Sequence, residues 1–231
     1  MIATDRFVFV HLHKSGGTFV NECLMRFFPG ARRIGYHLPR SCIPQDKRSL
    51  PVLGFVRSPW SYYVSWFSFQ SRMAQPNALF RCASEDRKLD FEATIRNLLE
   101  LGQGNGKLDS LLAALPREYG NQGLNLPAFA LEPIRNSGKG FYSYLHDYMY
   151  AGGDSPATIG RVENLRAEFK AFLLGLDIPL PPALTGFIDE ASPRNTSTHR
   201  SWREYYSDDL AELVASRDHE LLRIYGYRFD D

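Results

Sequence analysis

The chain has 231 residues, is 44% apolar, and sets 27 basic against 26 acidic side chains for a formal net charge of +1. That length suits a single domain with its own core; the even charge argues against a general nucleic-acid-binding surface, and no apolar run approaches the ~18 residues of a membrane span. Asp5 and Arg6 follow Met1 too closely for a secretory leader, and Cys23, Cys42 and Cys82 lack paired spacing, so free thiols in a cytoplasmic protein are expected.

The first unit is a strand, a glycine loop and a helix. Phe7-Val8-Phe9-Val10 is a short apolar run rich in β-formers, as in a strand covered on both faces. The loop is His11-Leu12-His13-Lys14-Ser15-Gly16-Gly17-Thr18. Val20, Cys23, Leu24, Phe27 and Phe28 then recur at helical spacing, and Pro29-Gly30 ends the helix. Val52–Val56 reads as a second buried strand closed by Arg57. Ser58 suits an N-cap and Pro59 the first helical position. Trp60, Tyr63, Val64 and Phe67 form the apolar face of the helix that follows, and Ser61, Ser65 and Ser68 share another face, Ser61 and Ser68 as ordinary polar surface.

Residues 72–153 read as a helical, loop-rich insertion: nine of the 18 glycines lie between Gly102 and Gly153. Helices are expected over 91–101, 108–115 and 141–149. A third strand is expected over 157–162, an amphipathic helix over 165–176, and a stiff connector at Pro179, Pro181 and Pro182. A polar loop over 192–200 precedes a last helix over 208–225. Strands alternating with helices predict an α/β domain spanning 1–231, with a central, mainly parallel sheet flanked by helices and a P-loop-like anion-binding loop after the first strand.

A strand, a short glycine loop carrying lysine, and a helix N-terminus hold phosphate-like anions, because backbone N–H groups and the helix dipole face the ligand. The order here is not G-x-x-x-x-G-K-[ST], since Lys14 precedes the glycines, and there is no G-x-G-x-x-G. No Asp ends a strand where a nucleotide-bound magnesium would want it.

Lys14-Ser15-Gly16-Gly17-Thr18 after a strand instead resembles the sulfotransferases that use 3′-phosphoadenosine 5′-phosphosulfate (PAPS). Arg57 at a strand end with Ser65 eight residues on resembles that family's second signature. Gly160-Arg161-Val162-Glu163-Asn164-Leu165 looks like the strand before its late helix. The run from Arg194 to Ser197, shortly before Trp202, resembles its C-terminal loop. His11-Leu12-His13-Lys14 looks like the carbohydrate and protein sulfotransferase branch.

The resemblance implies that Lys14, Ser15, Gly16, Gly17 and Thr18 hold the 5′-phosphosulfate, with Lys14 also catalytic on the bridging oxygen. It implies that Arg57, Ser65, Arg194 and Ser197 hold the 3′-phosphate, and that no metal is needed. A base must take the proton of the acceptor hydroxyl, and histidine suits that work near neutral pH. His37, 23 residues after Lys14, stands where the family places its base. Glu163 is a rival base, His146 and His199 are reserves, and His219 is structural. Arg32, Arg33, Arg40, Lys47 and Arg48 form a basic stretch, read as a solvated surface in preference to a rim for an anionic acceptor.

The expected activity is sulfuryl transfer from PAPS to the hydroxyl of a small-molecule or carbohydrate acceptor, with His37 as general base and no nucleic-acid partner. A kinase-like phosphotransferase and a non-catalytic nucleotide-binding protein on the same fold are the alternatives. Acceptor identity, adenine contacts and oligomeric state stay open.

Overall fold

Val52–Val56 is buried at every position, so this strand is covered on both faces and forms the middle of a sheet. In the computed structural model, which describes residues 1–120, 123–191 and 200–230, five strands are present: β1 (Ile2–Ala3), β2 (Val8–Phe9), β3 (Arg32–Arg33), β4 (Val52–Val56) and β5 (Ala157–Arg161). Their order is β3-β1-β2-β4-β5. β2, β4 and β5 are parallel, in register Phe9↔Leu53 and Leu53↔Thr158. β1 runs antiparallel to both β2 and β3. The helices are α1 (Gly17–Phe27), α2 (Pro59–Arg72), α3 (Ala78–Ala83), α4 (Phe91–Leu99), α5 (Lys107–Ala114), α6 (Ala128–Leu131), α7 (Phe141–Tyr150), α8 (Leu165–Gly175), α9 (Pro182–Glu190), α10 (Asp208–Arg217) and α11 (His219–Tyr225). The fold is therefore α/β, a mixed sheet with a parallel core flanked by helices.

The glycine loop follows the second strand rather than the first. β1 is a two-residue strand turned back by Thr4, whose buried hydroxyl donates to the Phe7 carbonyl (2.8 Å) and accepts the Phe7 N–H (2.9 Å). The proline connector is in part a helix, because Pro182 takes the first position of α9, where a missing N–H costs nothing. The last helix breaks at Asp218, which leaves helical geometry at ψ 22°.

The chain divides into two compact units, 1–57 with 149–196 and 58–148 with 197–231. In the first, Ile2, Phe7, Phe9, Leu53 and Phe55 pack with Val20, Cys23 and Leu24 of α1, Phe169, Phe172 and Leu173 of α8, and Leu184 and Ile188 of α9. Gly54 lies on the opposite face, where a Cβ would sit 2.4 Å from the Tyr150 ring. The Tyr150 hydroxyl accepts the Phe55 N–H (3.1 Å) and donates to the Phe55 carbonyl (3.0 Å), so the ring cannot retreat without breaking both bonds. Gly54→Val is expected to destabilise the protein by about 3 kcal/mol, read from the denaturant midpoint at unchanged slope.

The second unit is helical around Tyr62, Tyr63, Trp66, Phe80, Phe141 and Tyr142, all fully buried. The Asp218 carboxylate accepts from the Tyr63 hydroxyl and the Ser143 N–H, both at 2.8 Å. Burial pushes it up to about 6. α2 does not divide as its spacing predicts: Ser65 and Ser68 are buried along with Trp60, Tyr62, Tyr63 and Trp66, so Ser68 is not surface. Among the described residues no helix is long and apolar enough to cross a membrane.

Candidate functional site

Parallel strands deliver their carboxyl ends to one edge of a sheet, the usual place for a ligand in α/β folds. The glycine loop follows β2, Arg57 follows β4, and Val162 to Leu165 follow β5, so three of the signatures leave from that edge of the first unit. Arg57 is half-buried. Leu165, at the start of α8, lies against the loop, since a Cβ on Gly16 would come within 2.2 Å of its Cδ1.

The loop turns through two left-handed residues, Lys14 (φ 61°) and Gly16 (φ 73°), before α1 begins at Gly17. Only Gly16 adopts that region without a Cβ penalty. Lys14 holds it as an ordinary L-residue, a strained state that persists where the surroundings dictate it. Gly17 is glycine for a different reason: a Cβ there would meet the His11 ring at 1.9 Å. The first turn of α1 has no acidic side chain, so its N-terminal dipole is not countered from within the helix. With Lys14 and Thr18 beside it, this end fits an anionic group such as a phosphosulfate. Ser15 is buried within the loop.

His37 reaches this loop. Its Nδ1 lies 3.0 Å from the His11 carbonyl, and its ring centroid is 4.4 Å from that of His11 and 5.9 Å from that of His13. A carbonyl only accepts, so His37 Nδ1 carries the proton and Nε2 keeps its lone pair, the form a general base needs. Burial lowers His37 to about 4, against the raising effect of the His11 carbonyl, and the Met1 amine lowers it further. His37 is therefore neutral at physiological pH. Its backbone is also left-handed, at φ 49°. Burial and the neighbouring imidazoles hold His11 and His13 well below the ordinary histidine value too, with Lys14 adding to the effect on His13. Among the described residues no three His, Cys, Asp or Glu side chains are grouped to hold a metal ion.

The imidazoles make the fold acid-sensitive. Their unfolded forms take up protons near pH 6.5 while the folded forms do not, so their contribution to stability is complete above about pH 6.5 and is lost as the pH drops toward 4. Each such proton costs about 1.4 kcal/mol per pH unit. Asp218, raised in the folded state, opposes this below about pH 6, but it is one group against three. The melting temperature is expected to fall steadily from pH 6.5 to 5; a flat profile would contradict the burial of these rings.

The other sequence candidates belong to other elements or lie outside the described residues. Ser65 lies in α2, in the second unit, and is buried. Arg194 and Ser197, with Asn195, Thr196 and His199, lie outside the described residues. Glu163 is exposed in the turn before α8. His146 belongs to the second unit and bonds the Tyr225 hydroxyl (2.8 Å) and Asp147 (3.1 Å). His219 is exposed at the start of α11, with Nδ1 bonded to the Ser216 carbonyl (3.1 Å). Arg40 is not part of a solvated basic surface: it is buried, and its guanidinium donates to the Ser155 carbonyl and hydroxyl and to the Tyr150 carbonyl. Arg32 and Arg33 are exposed on β3, Arg33 donating to the Tyr36 hydroxyl (2.7 Å). The contact of His11 with both Gly17 and His37 has no sequence signal beyond its place just before Lys14.

No family model and no curated protein sequence matches the chain. Among solved structures it is similar to mouse sulfotransferase SULT7A1 complexed with PAP, at a TM-score of 0.50 and 14% identity, over 96% of this chain and 88% of that one. The chain has the α/β architecture of that sulfotransferase.

Proposed function

We propose that the protein is a PAPS-dependent sulfotransferase that moves a sulfuryl group to the hydroxyl of a carbohydrate or other small-molecule acceptor. The observation that carries this reading is the meeting of neutral His37 with His11 and His13, the residues that lead directly into Lys14-Ser15-Gly16-Gly17-Thr18 at the carboxyl edge of a parallel sheet. The fold neighbour complexed with PAP supports it.

The donor would supply the activated sulfuryl group. Lys14 places positive charge at the bridging oxygen, where negative charge grows. Ser15, Gly16, Gly17 and Thr18 hold the 5′ end with backbone N–H groups and hydroxyls. Arg57 and Ser65, with Arg194 and Ser197, hold the 3′-phosphate; a planar guanidinium matches such an oxyanion better than an ammonium does. His37 Nε2 takes the acceptor proton. Residues 72–153 shape the acceptor side of one functional domain spanning 1–231, placed in the cytoplasm. Assignment to the carbohydrate and protein branch rests on His11-Leu12-His13-Lys14 alone.

Thermal shift with adenosine 3′,5′-bisphosphate, ATP and AMP tests the assignment, because a ligand that binds only the folded state raises its apparent stability. The bisphosphate is expected to give the largest shift. A shift with ATP and none with the bisphosphate would point to a phosphotransferase. In Arg57→Ala the bisphosphate should lose at least about tenfold in affinity, one charged hydrogen-bonding partner's worth, while AMP, which lacks the 3′-phosphate, loses little. Equal losses would remove Arg57 from that role.

A further inference from the structure

The His11 side chain touches both halves of the candidate site, the base His37 and the loop at Gly17. Its imidazole is buried at 9% exposure, although no anion-binding signature claims it. Its carbonyl accepts the His37 Nδ1–H at 3.0 Å, and its ring lies 4.4 Å from the His37 ring, tilted by 51°. Its other edge fills the space where Gly17 would carry a Cβ. Behind it, Phe9 stacks at 5.7 Å and the Asn21 amide of α1 lies 3.4 Å from Nδ1. A planar ring packed on three sides cannot shift without moving what it touches.

We infer that His11 is a positioning residue: it aims the Nε2 of His37 at the acceptor and transmits displacements of the loop at Gly17 to that base. The inference rests on the proposed sulfuryl transfer with His37 as base. Its physical content is separate, because the geometry of the His37 ring is measurable without turnover. Shape, not proton transfer, is what His11 contributes. His11→Ala opens space beneath both Gly17 and His37, so the Nδ1–carbonyl bond loosens and the two tautomers of His37 approach equal population. His11→Phe keeps a planar ring of similar size in the gap and should preserve the arrangement.

The test combines imidazole nitrogen–proton correlation spectra of wild type, His11→Ala, His11→Phe and Asn21→Ala with kcat and KM for each. Wild type should show His37 as the Nδ1–H tautomer. In His11→Ala that preference is expected to disappear and kcat to fall about 10²-fold, the usual effect of misaligning a catalytic group by about 1 Å. The KM for the donor should move less than about threefold. His11→Phe should restore the tautomer and most of kcat. Asn21→Ala, which removes a support without opening the site, should give a smaller loss in the same readouts and serves if His11→Ala fails to fold. An unchanged His37 spectrum and kcat in His11→Ala or Asn21→Ala overturns the positioning role; so does a His11→Phe protein as impaired as His11→Ala. A wild type that neither binds the bisphosphate nor transfers sulfate sinks the proposed function instead, and the spectra still decide the role of His11.

Discussion

Replacing His37 by alanine should lower kcat by about 10²- to 10⁴-fold, the range a positioned general base contributes. Affinity for adenosine 3′,5′-bisphosphate should stay within about threefold of wild type, since His37 is assigned to the acceptor proton. The separation of the two effects is the point of the measurement. A non-catalytic binding protein would show no difference on either axis, and Glu163 as base would leave kcat intact. Because His37 sits at φ 49°, where alanine is strained, His37→Asn belongs in the same experiment. Asparagine tolerates left-handed backbone and supplies no base near neutral pH, so an equal fall in kcat attributes the loss to the imidazole. The low value of His37, about 4, has a kinetic counterpart: the acid limb of kcat/KM should lie well below pH 6, leaving the rate flat from there to neutrality. An acid limb near 6.5 would mean that the reacting base is a solvated histidine instead.

Lys14 should show opposite effects on activity and stability. Removing one preorganised charge from a developing oxyanion costs about 10²- to 10³-fold in kcat, so Lys14→Ala and Lys14→Gly should both be severely impaired in sulfate transfer. Their folded states should differ. A left-handed L-residue costs roughly 1–2 kcal/mol that glycine does not, and Lys14 is left-handed at φ 61°. Lys14→Gly should therefore melt about 2–4 °C above Lys14→Ala for each kcal/mol of strain relieved. Equal melting temperatures would show that the loop relaxes around residue 14 and that its backbone is not held. A wild-type rate in either variant would remove Lys14 from the chemistry.

What could be read in advance depended on the length and regularity of each element. Val52–Val56 is a run of five residues, and its strand has those bounds. The helices expected from Phe91, Leu108, Phe141 and Leu165 begin within a residue of those positions, because apolar spacing marks a helix that buries one face. β1 and β3 have two residues each, too few for any period, so the antiparallel edge of the sheet left no trace. α9 is hidden by prolines that also mark a turn. The last helix divides at Asp218 because a distant tyrosine and amide claim its carboxylate. At the site, the loop was visible as a motif. The left-handed backbones at Lys14 and His37 were not: lysine has no preference for that region, and the enrichment of histidine there does not single out one of six. Nor was the wedge of His11 against Gly17, a contact between two residues of the loop that no motif joins.

The register of the sheet also sets a clock. β4 pairs in parallel with β5, Val52 against Ala157, so the outer partner of this interior strand is made 105 residues later. At a ribosomal rate of roughly 5–20 residues per second, that delay is on the order of 5–20 s. Throughout it, one edge of Val52–Val56 has no strand beside it, and such an edge is a template for pairing with another chain. The nascent protein thus passes through an interval in which temperature and expression level, more than final stability, decide whether it reaches the folded state. Slower, cooler synthesis should favour soluble product.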